Sequence, residues 1–321
     1  MAQIEESQIR LIQQTATLIR QNVGQVIVGK AAAVDLLIVA LLCEGHVLFE
    51  DVPGIGKTTL AKSLSRSLGC TFQRIQFTPD LLPSDITGIM FYNQKSSEFE
   101  FHPGPLLTQI VLADEINRAT PRTQSALLEA MEERQISIER ETLALPRPFM
   151  VIATQNPVEL EGTFPLPEAQ LDRFLMRLRL SYPTRDEEHA IVQRFREEQP
   201  LLELQPVVNA EQLRSLQQSI RKVHVSANIE NYMVDIVRAT REHNAVELGA
   251  SPRGTLALYR ASQAYAAIRG RNYVIPDDVK GLARAVLAHR MIATSQTRLH
   301  EHSMESIIDD ILLQTPVPVE P

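Results

Sequence analysis

The stretch Asp51-Val-Pro-Gly-Ile-Gly-Lys-Thr58 lies between an apolar run, His46-Val-Leu-Phe-Glu50, and a helical pattern that opens with Thr59-Leu-Ala-Lys-Ser-Leu64. Strand, glycine-bearing turn and helix start, in that order, make a cradle for phosphate. Backbone N–H groups around Gly54 and Gly56 can wrap phosphate oxygens, and the helix N-terminus adds its positive end. In such a cradle Lys57 reaches the outer phosphates and the Thr58 hydroxyl holds Mg2+. Pro53, Ile55 and Thr59 complete the nucleotide-contacting set. One position departs from G-x-x-x-x-G-K-[ST], because Asp51 stands where the first glycine belongs. An ordinary strand–turn–helix can also carry these residues, so the rest of the chain has to decide.

The bulk numbers set the frame. A chain of 321 residues suits one large or two modest domains. Its 44% hydrophobic, 22% charged and 5% aromatic content is that of a soluble globular protein. A formal net charge of -7 argues against a nucleic-acid binder. Two cysteines, Cys43 and Cys70, cannot build a disulfide framework and read as small apolar residues of a reducing compartment. The first residues carry Glu5 and Glu6 rather than a basic-then-apolar leader. The longest apolar stretch, Ala31 to Cys43, is interrupted by Asp35 and falls short of the ~20 residues that span a bilayer. A cytoplasmic protein without membrane insertion is expected.

Ile9, Ile12, Ala16 and Ile19 recur at helical spacing, and a second helix is predicted from Lys30 to Glu44. Apolar strand candidates follow at Val47–Phe49, Phe72–Phe77, Gln109–Ala113, Phe149–Thr154 and Phe174–Leu180, mostly with helical patterns between them. That alternation predicts an α/β unit, a parallel sheet covered on both faces, over residues 1–182. Residues 183–321 read as an all-α second domain, with only helices from Thr184 to Arg290. Ser251-Pro252 and Ile275-Pro276 mark helix starts. Ser303–Leu313 reads as a last helix before a frayed tail. Gly88–Pro105 and Gln135–Leu145 interrupt the α/β half as hairpins, the second with its turn across Glu139–Thr142.

Gln109-Ile-Val-Leu-Ala-Asp-Glu115 is a strand ending in two acids, the partner a phosphate loop requires. Asp114 would bind Mg2+ and Glu115 would orient or deprotonate the attacking water. Phe149-Met-Val-Ile-Ala-Thr-Gln-Asn156 ends a further strand in amides, and Asn156 can position that water. Asn before Pro157 is also ordinary turn chemistry. The eight histidines, His46, His102 and His243 among them, show no metal-ligand spacing and read as structural.

The phosphate loop, Leu112-Ala-Asp-Glu-Ile-Asn-Arg-Ala119, Gln124-Ser-Ala-Leu-Leu-Glu-Ala-Met-Glu132 and Ala153-Thr-Gln-Asn-Pro157 resemble the AAA+ ATPases. Glu161-Gly-Thr-Phe-Pro-Leu-Pro-Glu-Ala-Gln-Leu-Asp-Arg-Phe174 narrows the resemblance to the MoxR family, in the helix-2-insert branch. The resemblance covers most of the chain and implies an AAA+ parallel-sheet core followed by a helical lid. It also implies ATP and Mg2+ as the bound nucleotide and metal. Asn156 then matches sensor 1, and Arg173 matches the arginine finger that reaches a neighbouring subunit's γ-phosphate. Arg253 matches sensor 2, in cis or in trans. Ile27-Val28-Gly29 is similar to the adenine-contacting turn. The two hairpins correspond to the helix-2 and pre-sensor-1 inserts, whose tips tend to face a central pore. The partners implied are further copies of the chain in a hexameric ring, and clients bearing von Willebrand factor A domains, with a chaperone-like role in maturing metalloenzymes or assembling complexes.

Two other functions compete. A nucleic-acid motor would need uncompensated Lys or Arg on the inserts, whereas Lys95 is set against Glu98 and Glu100, and Arg134 and Arg140 against Glu139 and Glu141. A non-hydrolysing switch would not need Glu115 or Arg173. Arg118, just after the acidic strand, reads equally as a neighbour contact or a surface ion pair.

Overall fold

The computed structural model describes residues 4–138, 141–157, 162–196, 199–299 and 303–318. Helices α1 (Glu6–Gly24) and α2 (Ala31–Leu42) precede strand β1 (Val47–Glu50), helix α3 (Lys57–Ser67) and strand β2 (Phe72–Gln76). A short helix α4 (Pro83–Thr87) leads into a hairpin of β3 (Gly88–Asn93) and β4 (Glu98–Pro103). Then come β5 (Ile110–Asp114), α5 (Pro121–Glu133), a second hairpin of β6 (Gln135–Ile138) and β7 (Glu141–Ala144), and β8 (Met150–Gln155). The short helix α6 (Glu168–Leu171) and strand β9 (Met176–Leu178) end the α/β part.

The second part holds α7 (Arg185–Phe195), α8 (Pro200–Glu203), α9 (Ala210–Ser219) and α10 (Ala227–Glu242). It continues through β10 (Val246–Leu248), α11 (Pro252–Ile268), α12 (Pro276–Leu287), β11 (Ile292–Ala293), α13 (Ser295–Leu299) and α14 (Met304–Gln314). Helix starts at Pro252 and Pro276 fall where the sequence places them. The expectation of helices alone from Thr184 to Arg290 is corrected at one spot, since β10 pairs antiparallel with β11. A ladder this short carries no readable alternation. No helix among the described residues is long and apolar enough to cross a membrane.

The sheet is parallel, in the order β2-β5-β8-β1-β9. Two-residue periodicity sends its side chains to opposite faces. Val47, Phe49, Ile110, Leu112, Met150 and Ile152 join one apolar cluster, with α1, α2, α3 and the helices of the second part. Leu48, Val111, Ala113, Val151 and Ala153 join another, under α5. All these strand residues are fully buried, which explains why each strand reads as an unbroken apolar run. Because the strands are parallel, Glu50, Gln155, Asp114 and Gln76 end at one edge. The loops that follow β1, β5 and β8 therefore meet there, where open α/β sheets bind ligands.

Both hairpins form in the expected segments. Residues 139–140, between β6 and β7 in the sequence, lie outside the described residues, as does Glu161. The first carries exposed Phe91, Tyr92 and Phe99. Its Glu100 accepts hydrogen bonds from Asn93 and Ser96. Arg134 does not belong with the hairpin charges. It turns back to the body of the protein, donating to the Phe149 carbonyl at 2.6 Å and to the Glu44 carbonyl.

Candidate active site

After β1 the chain turns through Gly54 at φ 84° and Gly56 at φ 93°, both in the left-handed region. A Cβ at either glycine would meet no protein atom within 4 Å. The glycines are thus needed for the backbone conformation, and the space they face is open to a ligand. Gly56 caps α3, so Lys57 is the first helical residue and the unsatisfied N–H groups of the helix start face the loop. Lys57 is buried, and its Nζ donates to the Asp51 carbonyl at 2.8 Å. Burial lowers the lysine's pKa, and the charges of Asp51, Asp114 and Glu115 act in the opposite direction.

The acids at the end of β5 are held by a residue the sequence does not single out. Thr154, buried on β8, donates through Oγ1 to Asp114 Oδ1 at 2.6 Å and accepts the Glu115 N–H at 2.8 Å. Glu115 needs that support because its backbone is left-handed, with φ 56°. Asp114 Oδ2 accepts from Arg74, at 3.0 Å from Nε and 2.7 Å from a terminal nitrogen. Glu115 Oε2 accepts from Gln76 at 2.9 Å and from Arg118 at 3.0 Å. Arg118 is therefore an ion-pair partner of Glu115 within its own chain. Thr154, Arg74 and Gln76 come together only through strand register, so no spacing in the chain announces them. The one hint is Thr154 itself, the first polar residue after the apolar run of β8.

Pro53, Lys57, Thr58, Asp114, Glu115 and Asn156 line one cavity of about 350 Å³, with Thr154 and Arg74. Asn156 is buried, and its carbonyl accepts from Asn117 at 3.5 Å. A second cavity of about 370 Å³ adjoins it across Pro53, Gly54 and Thr59, walled by Ile27, Val28, Ile55, Tyr182, Ile191 and Phe195. Gly29 does not line this cavity. It supplies a left-handed turn, φ 73°, packed against the Glu187 side chain. A polar, lysine-bearing cavity beside an apolar one matches the two ends of a nucleoside triphosphate. The Thr58 hydroxyl and the Asp114 carboxylate are hard oxygen donors of the kind Mg2+ takes. Asp114 keeps acceptor capacity beyond its bonds to Thr154 and Arg74. The residues fit the nucleotide and the metal. Among the described residues no group of three or more His, Cys, Asp or Glu could hold a metal ion unaided.

Arg173 and Arg253 lie elsewhere. Both pair with one carboxylate, Glu132 on α5, Arg173 at 3.1 Å and Arg253 at 2.8 Å. They line a different cavity of about 350 Å³ that also receives Cys43, Arg260 and Arg290. Arg290, buried, fixes the segment that carries Arg173. It donates to Asp172 Oδ1 at 2.7 Å and to the Phe174 carbonyl at 2.7 Å. Ser251, the cap of α11, donates to the other Asp172 oxygen at 3.1 Å. Glu132 and Arg290 are functional candidates that sequence reading missed, because their contacts join residues far apart along the chain. Cys43 and Cys70 are half-buried thiols, pushed up by burial to about 12 and about 11. His46 is structural, its Nδ1 accepting the Val151 N–H at 2.9 Å.

Comparison with known proteins agrees with this layout. Residues 46–176 match the model of the ATPase family associated with various cellular activities (AAA), and residues 238–311 match that of the AAA lid domain. The chain is 50% identical over 300 residues to the uncharacterized protein YeaC of Bacillus subtilis, covering 94% of each. It is 42% identical over 306 residues to chaperone MoxR1 of Mycobacterium tuberculosis, covering 92% of this chain and 81% of that one. A crystal structure from Cytophaga hutchinsonii, of a protein provisionally named an ATPase, superposes with a TM-score of 0.92 at 37% identity over 98% of both chains. The chain belongs to the MoxR family of AAA+ ATPases.

Proposed function

We propose that this protein hydrolyses ATP to ADP and phosphate and couples the turnover to remodelling, assembling or activating partner proteins. The observation that carries the reading is the convergence of Lys57, Asp114, Glu115 and Asn156 on one cavity at the carboxyl edge of the sheet. ATP lies between the α/β unit, residues 1–182, and the helical lid, residues 183–321. The loop amides and Lys57 hold its phosphates, and the base enters the apolar cavity beside Val28. Thr58 and Asp114 would hold Mg2+, whose charge would offset that of the outer phosphates. Glu115 draws the proton from the attacking water, and Asn156 keeps that water aligned with the γ-phosphate.

Arg173 and Arg253 act on the neighbouring subunit's nucleotide. Their cavity shares no lining residue with the phosphate cavity of the same chain, which supports a site completed between subunits of a ring, hexameric by family resemblance. A relative named a chaperone supports the client-directed role. Clients with von Willebrand factor A domains, metalloenzyme maturation among them, and a cytoplasmic setting follow from the resemblance and composition.

Glu115→Gln tests the reading. General-base catalysis contributes about 10²–10⁴ in rate, so the variant should retain ATP through purification while the parent retains ADP. Recovery of mainly ADP from the variant removes Glu115 from the role of base. Affinity capture on the same trap, followed by mass spectrometry, identifies the clients.

A further inference from the structure

Asp51, the one mismatch to the phosphate-loop motif, has a buried side chain and does not line the phosphate cavity. Its Oδ2 accepts the Leu180 N–H at 2.6 Å and its Oδ1 accepts the Ser181 N–H at 3.3 Å. Its own N–H donates to the Gln155 carbonyl at 3.3 Å, and its carbonyl accepts from Lys57 Nζ at 2.8 Å. One residue thus bonds the end of β8, the phosphate-binding lysine and the chain leaving β9.

That last contact leads to the base end of the site. Leu180 and Ser181 run directly into Tyr182 and Pro183, which wall the apolar cavity. Thr184 follows and caps α7, whose Ile191 and Phe195 wall the same cavity. Ser181 sits at φ 57°, a conformation unusual for a residue with a Cβ, at the place where the carboxylate grips the backbone. A glycine at position 51, as the general motif has, offers no side-chain acceptor.

We propose that Asp51 is a positioning residue for nucleoside recognition, holding Leu180 and Ser181 so that the Tyr182–Pro183 wall and the start of α7 stay set against the phosphate loop. The inference rests on the ATP site proposed above. It concerns how the base end is shaped, and the phosphate end is left to the glycines and Lys57.

Magnesium tripolyphosphate separates the two ends, since it has the phosphate chain of ATP without the nucleoside. Calorimetric titration of the full chain compares it with MgATP for the parent, Asp51→Asn and Asp51→Gly. For Asp51→Gly, MgATP affinity should fall about tenfold, the worth of one charged hydrogen bond, while tripolyphosphate affinity stays within about twofold. Asp51→Asn, which keeps one acceptor oxygen, should fall between parent and Asp51→Gly. Equal weakening of both ligands would make Asp51 a support of the phosphate loop and overturn the inference. So would variants that bind MgATP as the parent does. A parent that binds neither ligand would instead overturn the ATP site itself, and the inference with it. Hydrogen exchange on the parent adds a check that needs no variant: the Leu180 and Ser181 amides should be protected, and fast exchange at both sinks the proposal.

Discussion

Thr154 shows how much one hydroxyl can organise. It donates to Asp114 and accepts from the Glu115 N–H, fixing the acid proposed to bind the metal and the acid proposed to activate water relative to each other. Thr154→Val keeps the shape and removes both bonds. At about 1 kcal/mol for each bond, turnover should drop roughly tenfold to thirtyfold. ATP affinity should change little, because the phosphate loop is untouched. A steady-state assay paired with a binding titration checks this, and an unchanged kcat would refute the role. His46 provides a pH-dependent counterpart. Burial, and then the charge of Arg134, hold its imidazole well below the usual 6.5. Below that pH the unfolded chain takes up a proton that the folded chain refuses, so folding stability falls as the pH drops. The slope is up to about 1.4 kcal/mol per pH unit from this residue. Urea midpoints at pH 7.5 and 5.5 should differ less in His46→Gln than in the parent, and equal differences would contradict the assignment.

At the scale of elements, α1 links the two parts of the molecule. It packs against α2 and α3 beside the sheet and against α11 of the lid. Ile12, on its buried face, is 1% exposed. Ile12→Ala should lower stability by about 2–5 kcal/mol through lost burial and the cavity left behind. Chemical denaturation measures that directly, and a loss below 1 kcal/mol would mean that α1 is only loosely docked. The sequence marks α1 by apolar spacing at Ile9, Ile12, Ala16 and Ile19, all of them buried. It does not mark the partner, since the pattern specifies an apolar stripe and not what covers it. The same limit applies to β10 and β11, too short to alternate visibly and formed only because the lid brings them together.

At the scale of the whole molecule, the phosphate cavity and the arginine pair occupy separate places on one chain. If they meet only between subunits, two inactive variants can complement each other. Arg173→Ala alone should lose about 10³–10⁵ in rate, the worth of an arginine finger, while still binding ATP. Glu115→Gln alone should trap ATP but keep its arginines. Random mixing in a closed ring pairs an intact site with an intact finger at roughly a quarter of positions. Equimolar mixtures should therefore regain activity on that order, measured by phosphate release. No recovery in assembled mixed rings would place Arg173 on its own nucleotide.

The sequence by itself determined the parallel-sheet core and the helical second part, and it named the residues proposed here for phosphate chemistry. Apolar runs report burial on both faces, and glycine, lysine and paired acids at strand ends are what such chemistry requires. Only the tertiary structure decided which residues hold them. Thr154 reaches Asp114 and Glu115 because β5 and β8 are neighbours in register. Glu132 gathers Arg173 and Arg253 from different parts of the chain, and Arg290 secures the loop that carries one of them. Asp51 changed most in meaning, from a flaw in a motif to an acceptor for backbone N–H groups about 130 residues away. A hydrogen bond needs two groups within reach, and distance along a chain says nothing about reach until the chain has folded.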